Sequence, residues 1–403
     1  MTSIEATKDT EKPLPAGWRW AKLGKVCEII AGQSPPGSTY RTIPEGLPFF
    51  QGKADFGLLN PVPRVWCVEP NKIALPGDIL ISVRAPVGPT NVAEVKCCIG
   101  RGLAAIRCGG DSDRDFILSA LRHFESKLTE KGAGSTFEAI SRDDLEQLSI
   151  PLPCLSEQQR IAMVLREQMA AVEKARAAGQ ARLEAVKALP GSYLRQVFPQ
   201  PGQPLPNGWR WIKLGEVCNR IDYGFTTSAA PDIDFPKFLR ITDIQDGKVD
   251  WLKVPGCDIP SAMEVEYELC DGDIVFARTG ATTGKSFLLR EPPRSVFASY
   301  LIRLRAASHE VVPDFLGAFF HSVGYWNQVS AGVRGGAQGG FNASMLKELE
   351  IPLPPLPEQR RIAGVLREQM AAVEKACAAA ETELQTINAL PAALLRQAFN
   401  GEI

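Results

Sequence analysis

A chain of 403 residues with 45 Lys and Arg against 46 Asp and Glu has a formal net charge of −1, and 45% of it is hydrophobic. The length exceeds one small domain and implies two or three globular units. The near-neutral balance excludes a protein that grips nucleic acid by bulk charge, since phosphate contacts need segregated Lys and Arg or a partner's charge.

In chain order, residues 1–12 read as a flexible polar tail without the apolar core of a secretory signal. No run of about 18 apolar residues suggests a membrane span, so the expected location is cytoplasmic. Ten cysteines are scattered and only Cys97 and Cys98 are close together. Adjacent cysteines do not match a zinc C-x-x-C spacing, so free thiols are expected.

A first globular region, 13–153, opens with LPAGWRWAKLGKVC at Leu14–Cys27, and a long helix follows over 154–198. The text then repeats. LPNGWRWIKLGEVC at Leu205–Cys218 opens a second region, 199–354, and 355–403 repeats the helix and closes in a tail. Between the repeated blocks the halves diverge, over about 28–150 and 219–350. Weak echoes survive: Gly77-Asp-Ile-Leu matches Gly272-Asp-Ile-Val, and Leu103…Arg107 matches Leu301…Arg305.

The divergent regions read as mixed α/β. Asp78–Val83, Asp273–Ala277 and Tyr300–Leu304 have strand length and β-branched content. Phe116–Leu128 and Asp314–Val329 carry an apolar stripe at helical spacing. The repeated blocks differ in kind. Glu157–Ala175 recurs at Glu358–Ala376 with two changes. Ser156 is placed to cap the first helix, and Pro357 to take the first helical position of the second. Ile161, Leu165, Gln168, Val172, Ala175, Leu183, Val186 and Leu189 step by three and four with one gap, and Ile362, Leu366, Gln369, Val373 and Ala376 repeat the stripe. That spacing suggests a two-stranded coiled coil. Pro190 and Pro391 should bend or stop these helices about 33 residues in.

The two LPxGWxWxKLGxVC openings, the two IPLP-x-L-x-EQxRIAxVL helix starts and the closing LLRQAFNGEI together resemble the specificity subunit of type I restriction–modification systems. Gly77-Asp-Ile-Leu-Ile-Ser-Val-Arg-Ala-Pro-Val-Gly88 and Phe276-Ala-Arg-Thr-Gly-Ala-Thr-Thr-Gly-Lys285 add to the likeness, which covers residues 14–403. The resemblance implies an α/β (mixed α+β) tandem repeat of two target-recognition domains with two long antiparallel coiled-coil helices and pseudo-two-fold symmetry. It implies that each domain reads one half of a split double-stranded DNA target. It further implies docking of two methyltransferase subunits, with restriction and translocase subunits in the full complex. S-adenosylmethionine, ATP and Mg are then expected only on those partners.

No chemistry of its own is legible. His123, His309 and His321 lack metal-ligand spacing, and no Asn/Asp-Pro-Pro-aromatic loop for amino-methyl transfer is present. Gly280-Ala-Thr-Thr-Gly-Lys-Ser286 imitates a P-loop, but three residues separate its glycines where four are needed. A non-catalytic subunit is therefore expected.

Base reading needs Arg, Lys, Asn, Gln, Ser or Thr on projecting loops. In the first region these are Gln33, Ser34, Tyr40, Lys53, Arg84, Asn91 and Arg101. In the second they are Arg240, Thr242, Arg278, Thr279, Thr282, Lys285, Arg334 and Gln338. What is repeated should meet the repeated partner, so Ile161, Leu165, Val172, Leu183, Val186, Ile362, Leu366 and Val373 are assigned to the coiled coil and the methyltransferase contact. Trp18, Trp20, Trp209 and Trp211, the same in both copies, are expected as core or interface anchors. A second functional class, a coiled-coil scaffold whose variable heads bind proteins, draws its support from the near-zero charge.

Overall fold

The computed structural model describes residues 14–133, 139–245, 247–335 and 340–403. The chain divides into two compact units, one of Met1–Gln180 with Thr382–Ile403 and one of Ala181–Glu381.

The first unit contains β1 (Arg19–Lys22), β2 (Cys27–Ala31), β3 (Leu47–Phe50), β4 (Ile79–Ser82), β5 (Thr90–Val92), β6 (Cys97–Ile99) and β7 (Leu103–Cys108). Helices α1 (Arg114–His123) and α2 (Glu125–Ala133), then β8 (Ser149–Leu152), lead into α3 (Leu155–Val197). Its main sheet is antiparallel in the order β2-β7-β4-β5, while β3 pairs parallel with β6, and β1 pairs antiparallel with β8. All four residues of β4 are buried. The pleat explains why the run is continuous: Ile79 and Ile81 join the core that includes the helices, and Leu80 joins a second core on the other face.

The second unit repeats this plan with β9 (Arg210–Lys213), β10 (Cys218–Tyr223), β11 (Lys237–Leu239), β12 (Ile274–Ala277), β13 (Ser286–Leu288), β14 (Ser295–Phe297) and β15 (Leu301–Ala306). Helices α4 (Pro313–Phe319) and α5 (Val323–Gly335), then β16 (Glu350–Leu353), lead into α6 (Leu356–Phe399). The sheet order is β10-β15-β12-β13. Ile274 and Phe276 face one core, Val275 and Ala277 the other.

The weak echoes in the sequence acquire a physical reason. Asp78, 4% exposed, accepts two hydrogen bonds from the Arg107 guanidinium at 3.0 and 2.8 Å and a third from the Leu75 N–H. Asp273, 1% exposed, takes the same fork from Arg305 at 2.7 and 2.7 Å and the Cys270 N–H. A buried carboxylate is tolerable only with such pairing. The repeated glutamine of the helix start also serves the fold. Gln158 accepts from the Asp113 N–H and donates to the Asp111 and Pro153 carbonyls; Gln359 accepts from Val312 N–H and donates to Glu310 and Pro354. Each amide pins a long helix to the loop before α1 or α4. Trp18 and Trp209 stand edge-on to Phe116 and Phe315 as anchors.

Each unit holds the start of one long helix and the end of the other. In the first, Ile161 and Leu165 share a core with Leu395, Ala398 and Phe399. Arg160 donates to the Ile403 carbonyl, Arg176 donates to Asn388, and Gly179 lies against Leu384, so the two segments run antiparallel. In the second, Ile362 and Leu366 share a core with Leu194 and Phe198.

Several expectations are corrected. Pro190 and Pro391 do not stop the helices, which continue to Val197 and Phe399. Burial of Leu194 and Phe198, and of Leu395 and Phe399, offsets the missing backbone hydrogen bond. Ser156 lies inside the first turn of α3, and Pro357 is the second residue of α6. The expected helices Phe116–Leu128 and Asp314–Val329 are each two helices, broken at Phe124 and at residues 320–322. The His123 ring stacks on Phe399 at 5.0 Å.

Candidate nucleic-acid interface

Loops leaving the sheet of the first unit converge on one concavity of about 270 Å3, lined by Ser34, Gln51, Gly52, Lys53, Ser82, Arg84, Ala85, Arg101 and Gly102. Two glycines allow this approach. A Cβ at Gly32 would stand 2.1 Å from the Gly100 carbonyl oxygen, and one at Gly102 would stand 2.2 Å from that of Gln51. The Arg101 N–H donates to the Ser34 hydroxyl at 3.3 Å, and the Gln51 N–H to the Asp55 carboxylate at 2.7 Å. Lys53, Arg84 and Arg101 are exposed around these fixed turns. The net charge of −1 therefore hides a local concentration of exposed cations.

Four of the seven residues expected in this unit, Ser34, Lys53, Arg84 and Arg101, thus meet in one place, with exposed Gln33 next in chain to Ser34. Two do not serve it as expected. Asn91 is 1% exposed, and its amide donates to the Gly57 carbonyl, tying β5 to the loop at 57–60. The Tyr40 hydroxyl donates to the Pro35 carbonyl and its ring packs on Phe49 at 4.8 Å, so it shapes the loop from beneath. Gln51 joins the lining, though no motif marks it.

Equivalent positions of the second unit can be read from backbone hydrogen bonds. Gly32 N–H donates to Leu103 O, as Gly224 N–H does to Leu301 O. Gly100 N–H donates to Phe50 O, as Ala298 N–H does to Leu239 O. Val83 N–H donates to Gly102 O, as Arg278 N–H does to Tyr300 O. By this register Gln51, Lys53, Arg84 and Arg101 correspond to Arg240, Thr242, Thr279 and Ser299. The scaffold is the same, and the side chains on it differ in charge and length.

Thr279 and Lys285 are exposed on a turn held by its own hydroxyls, Thr282 donating to Thr279 O and Thr283 to Gly280 O. The turn runs into strand β13, not into the helix that a P-loop requires. Exposed Thr242 accepts from the Gln245 amide through its carbonyl. Arg278 lies with its guanidinium carbon 4.9 Å from the centre of the Tyr223 ring. Arg240 is corrected as a free reader: its guanidinium forks onto Asp243 at 3.0 and 2.7 Å, which raises its pKa further. Gln338 lies outside the described residues, as does the side chain of Arg334, whose backbone belongs to α5.

The assignment of the apolar helix stripe to a partner is also corrected. Ile161, Leu165, Val172, Leu183, Ile362, Leu366 and Val373 are all buried within this chain, and Val186 is half-buried. What the repeat leaves exposed is another face. Arg160, Arg166, Glu167, Ala170, Ala171, Glu173 and Lys174 are matched, residue for residue, by exposed Arg361, Arg367, Glu368, Ala371, Ala372, Glu374 and Lys375.

Among the described residues no cluster of His, Cys, Asp and Glu is arranged to hold a metal ion. No helix among them is long and apolar enough to cross a membrane.

Comparison with known proteins accounts for this doubled plan. The family model for the type I restriction modification DNA specificity domain matches residues 15–178 and again 206–379, one match in each unit. The putative type I restriction enzyme MjaX specificity subunit of Methanocaldococcus jannaschii is 46% identical over 156 residues, 38% of this chain and 37% of that protein's length. The StySPI specificity subunit of Salmonella potsdam is 24% identical, covering 97% of this chain and 90% of its own. The HsdS subunit of Thermoanaerobacter tengcongensis shares the fold with a TM-score of 0.68 at 24% identity, over 98% of this chain and 99% of that one. A chain from a structural study of complex assembly and conformational transition of the type I R-M system superposes with a TM-score of 0.79 at 24% identity, over 97% and 100%. The chain belongs to the type I restriction–modification DNA specificity family, and it is a non-catalytic specificity subunit with two recognition domains.

Proposed function

We propose that this subunit reads a bipartite duplex, one half-target per recognition domain, through the loops around Arg84 and Arg101 in the first unit and around Arg278 and Lys285 in the second. One observation carries the reading. Equivalent backbone positions at the ends of equivalent strands present different polar side chains, which is what two readers of different half-targets require. Phosphate contacts from the cations would position the duplex, and the shorter polar groups would meet base edges.

Two methyltransferase subunits are the partners that fit the exposed repeated face of α3 and α6. The fold alone explains repetition of buried residues. Seven exposed pairs kept alike on otherwise divergent halves fit two copies of one partner, each meeting the same surface. Through them the restriction and translocase subunits join, and S-adenosylmethionine, ATP and Mg reside on those partners.

The test is methylation of a duplex library by the reconstituted methyltransferase complex. Arg101→Ala should relax one half-target and Arg278→Ala the other, with assembly unchanged. Relaxation of both halves by either variant would overturn the division of labour. The scaffold reading makes a different forecast, namely capture of a protein ligand by the variable heads in place of duplex DNA, whereas DNA reading predicts duplex binding by the complex that falls steeply with salt.

A further inference from the structure

Arg278 is held unlike the other interior arginines of its unit. Arg240, Arg303 and Arg305 each spend the guanidinium fork on a carboxylate, respectively Asp243, Asp222 and Asp273. Arg278 instead lies over the Tyr223 ring, and its Nε is buried without a hydrogen-bond partner among the described residues. A ring contact orients the plane of a guanidinium without occupying its N–H donors. The backbone is fixed on both sides, since Arg278 N–H donates to Tyr300 O at 3.3 Å and Phe341 N–H donates to Arg278 O at 2.9 Å. Tyr223 is fixed too, its hydroxyl accepting from Ala343 N–H at 3.0 Å.

The pair exists in one unit only. By the strand register Tyr223 corresponds to Ala31 and Arg278 to Val83, so ring and cation are present together or replaced together. A tyrosine serving only the shared sheet would have no reason to follow the cation.

We propose that Tyr223 is a positioning residue that presents the Arg278 fork to the O6/N7 edge of a guanine in the half-target read by the second unit. This rests on the placement of that loop on DNA argued above. An Arg fork on guanine is worth about 1–3 kcal/mol, or about 5- to 150-fold in base preference. Loss of the ring contact should cost about 2- to 30-fold of that preference.

The experiment uses the full chain in complex with methyltransferase subunits and measures methylation across single-base target variants. Arg278→Ala should lose guanine preference at one position of one half-target. Tyr223→Leu should lose it at that same position and to a smaller extent, while Tyr223→Phe, which keeps the ring, retains it. Substituting 7-deazaguanine there should slow the native complex and leave the Arg278→Ala complex unchanged. A Tyr223→Leu effect spread evenly over all positions, or none, would overturn the positioning role while leaving the loop on DNA. Unaltered preference in Arg278→Ala would overturn both.

Discussion

The two recognition units differ most where their backbones agree best. At the end of β4 the chain presents Val83 then Arg84; at the equivalent end of β12 it presents Arg278 then Thr279. The cation is displaced by one residue along the loop. In the first unit it stands exposed beside Lys53 and Arg101; in the second it lies over an aromatic ring. The loop side chains can thus differ without touching the sheet, because the sheet is secured by Asp78–Arg107 and Asp273–Arg305 beneath it.

The largest effect is expected from breaking what the units share. Asp273→Ala would leave Arg305 without its buried partner, a loss of about 3–5 kcal/mol for such pairs. Asp78→Ala should do the same to the first unit. Thermal unfolding checks this, and an apolar replacement of both partners should recover most of the loss. A fully stable single variant would show that these pairs do not secure the sheet.

Next come the glutamines that pin the long helices. Gln158 and Gln359 are each 1% exposed and make the same three hydrogen bonds. Truncation removes the partner of one N–H and two carbonyls, and because the loop before each helix is partly exposed and can take water in its place, the loss is about 1–3 kcal/mol in all. Gln158→Ala and Gln359→Ala should therefore destabilise by similar amounts in denaturant titration. A large inequality would mean that the helix starts are not equivalent.

The functional half of the comparison is sharpened at one pair of positions. Arg84→Ala should weaken reading of the first half-target about 5-fold or more, as expected for loss of a charged contact to base or phosphate. Thr279→Ala, at the equivalent place, should have a smaller effect on the second half-target, because the displaced cation at Arg278 remains. Methylation of half-target variants measures both. A Thr279→Ala effect larger than that of Arg84→Ala would invert the assignment.

Repetition made the architecture legible: two openings, two helix starts and the surviving Gly-Asp echoes marked the doubled plan, though not every strand and helix within each unit. Four of the residues singled out from the sequence, Ser34, Lys53, Arg84 and Arg101, border glycine-rich turns, and the structure brings them to one concavity. The misreadings have one cause. Side-chain type does not report whether a polar group is already spent inside the fold. Asn91 serves a neighbouring carbonyl, and Arg240 serves the aspartate three residues on. Tyr223 was invisible for the converse reason, since its partner Arg278 lies 55 positions away in the chain and no local pattern joins them. Likewise the heptad stripe correctly marked buried faces, but periodicity does not say whose surface buries them.

The smallest asymmetry is acid sensitivity. In the first unit Ser141 caps a short helix at Arg142–Glu146, and the Asp144 carboxylate accepts in turn from the Ser141 N–H. In the second, Asn342 caps the equivalent helix at Ala343–Lys347 and Met345 stands where Asp144 does, so no carboxylate takes part. The Lys131 ammonium 2.8 Å away, then the Ser141 hydroxyl and N–H, hold Asp144 down to about 2 from an ordinary 3.8. A carboxylate depressed on folding contributes stability above its unfolded pKa and loses it as pH falls through the folded one. The contribution should be complete above about pH 5, mostly lost by about pH 2 and gone at about pH 1, and solvent screening at this partly exposed site limits it to less than about 1 kcal/mol. Asp144→Asn should therefore lower the unfolding midpoint at pH 6 by a small amount that shrinks as pH falls toward 2 and vanishes at about pH 1. Met345→Leu in the second unit should give a difference from the native chain that does not change with pH. If the Asp144→Asn difference were the same at pH 6 and near pH 2, the ionised carboxylate would not be what stabilises that turn.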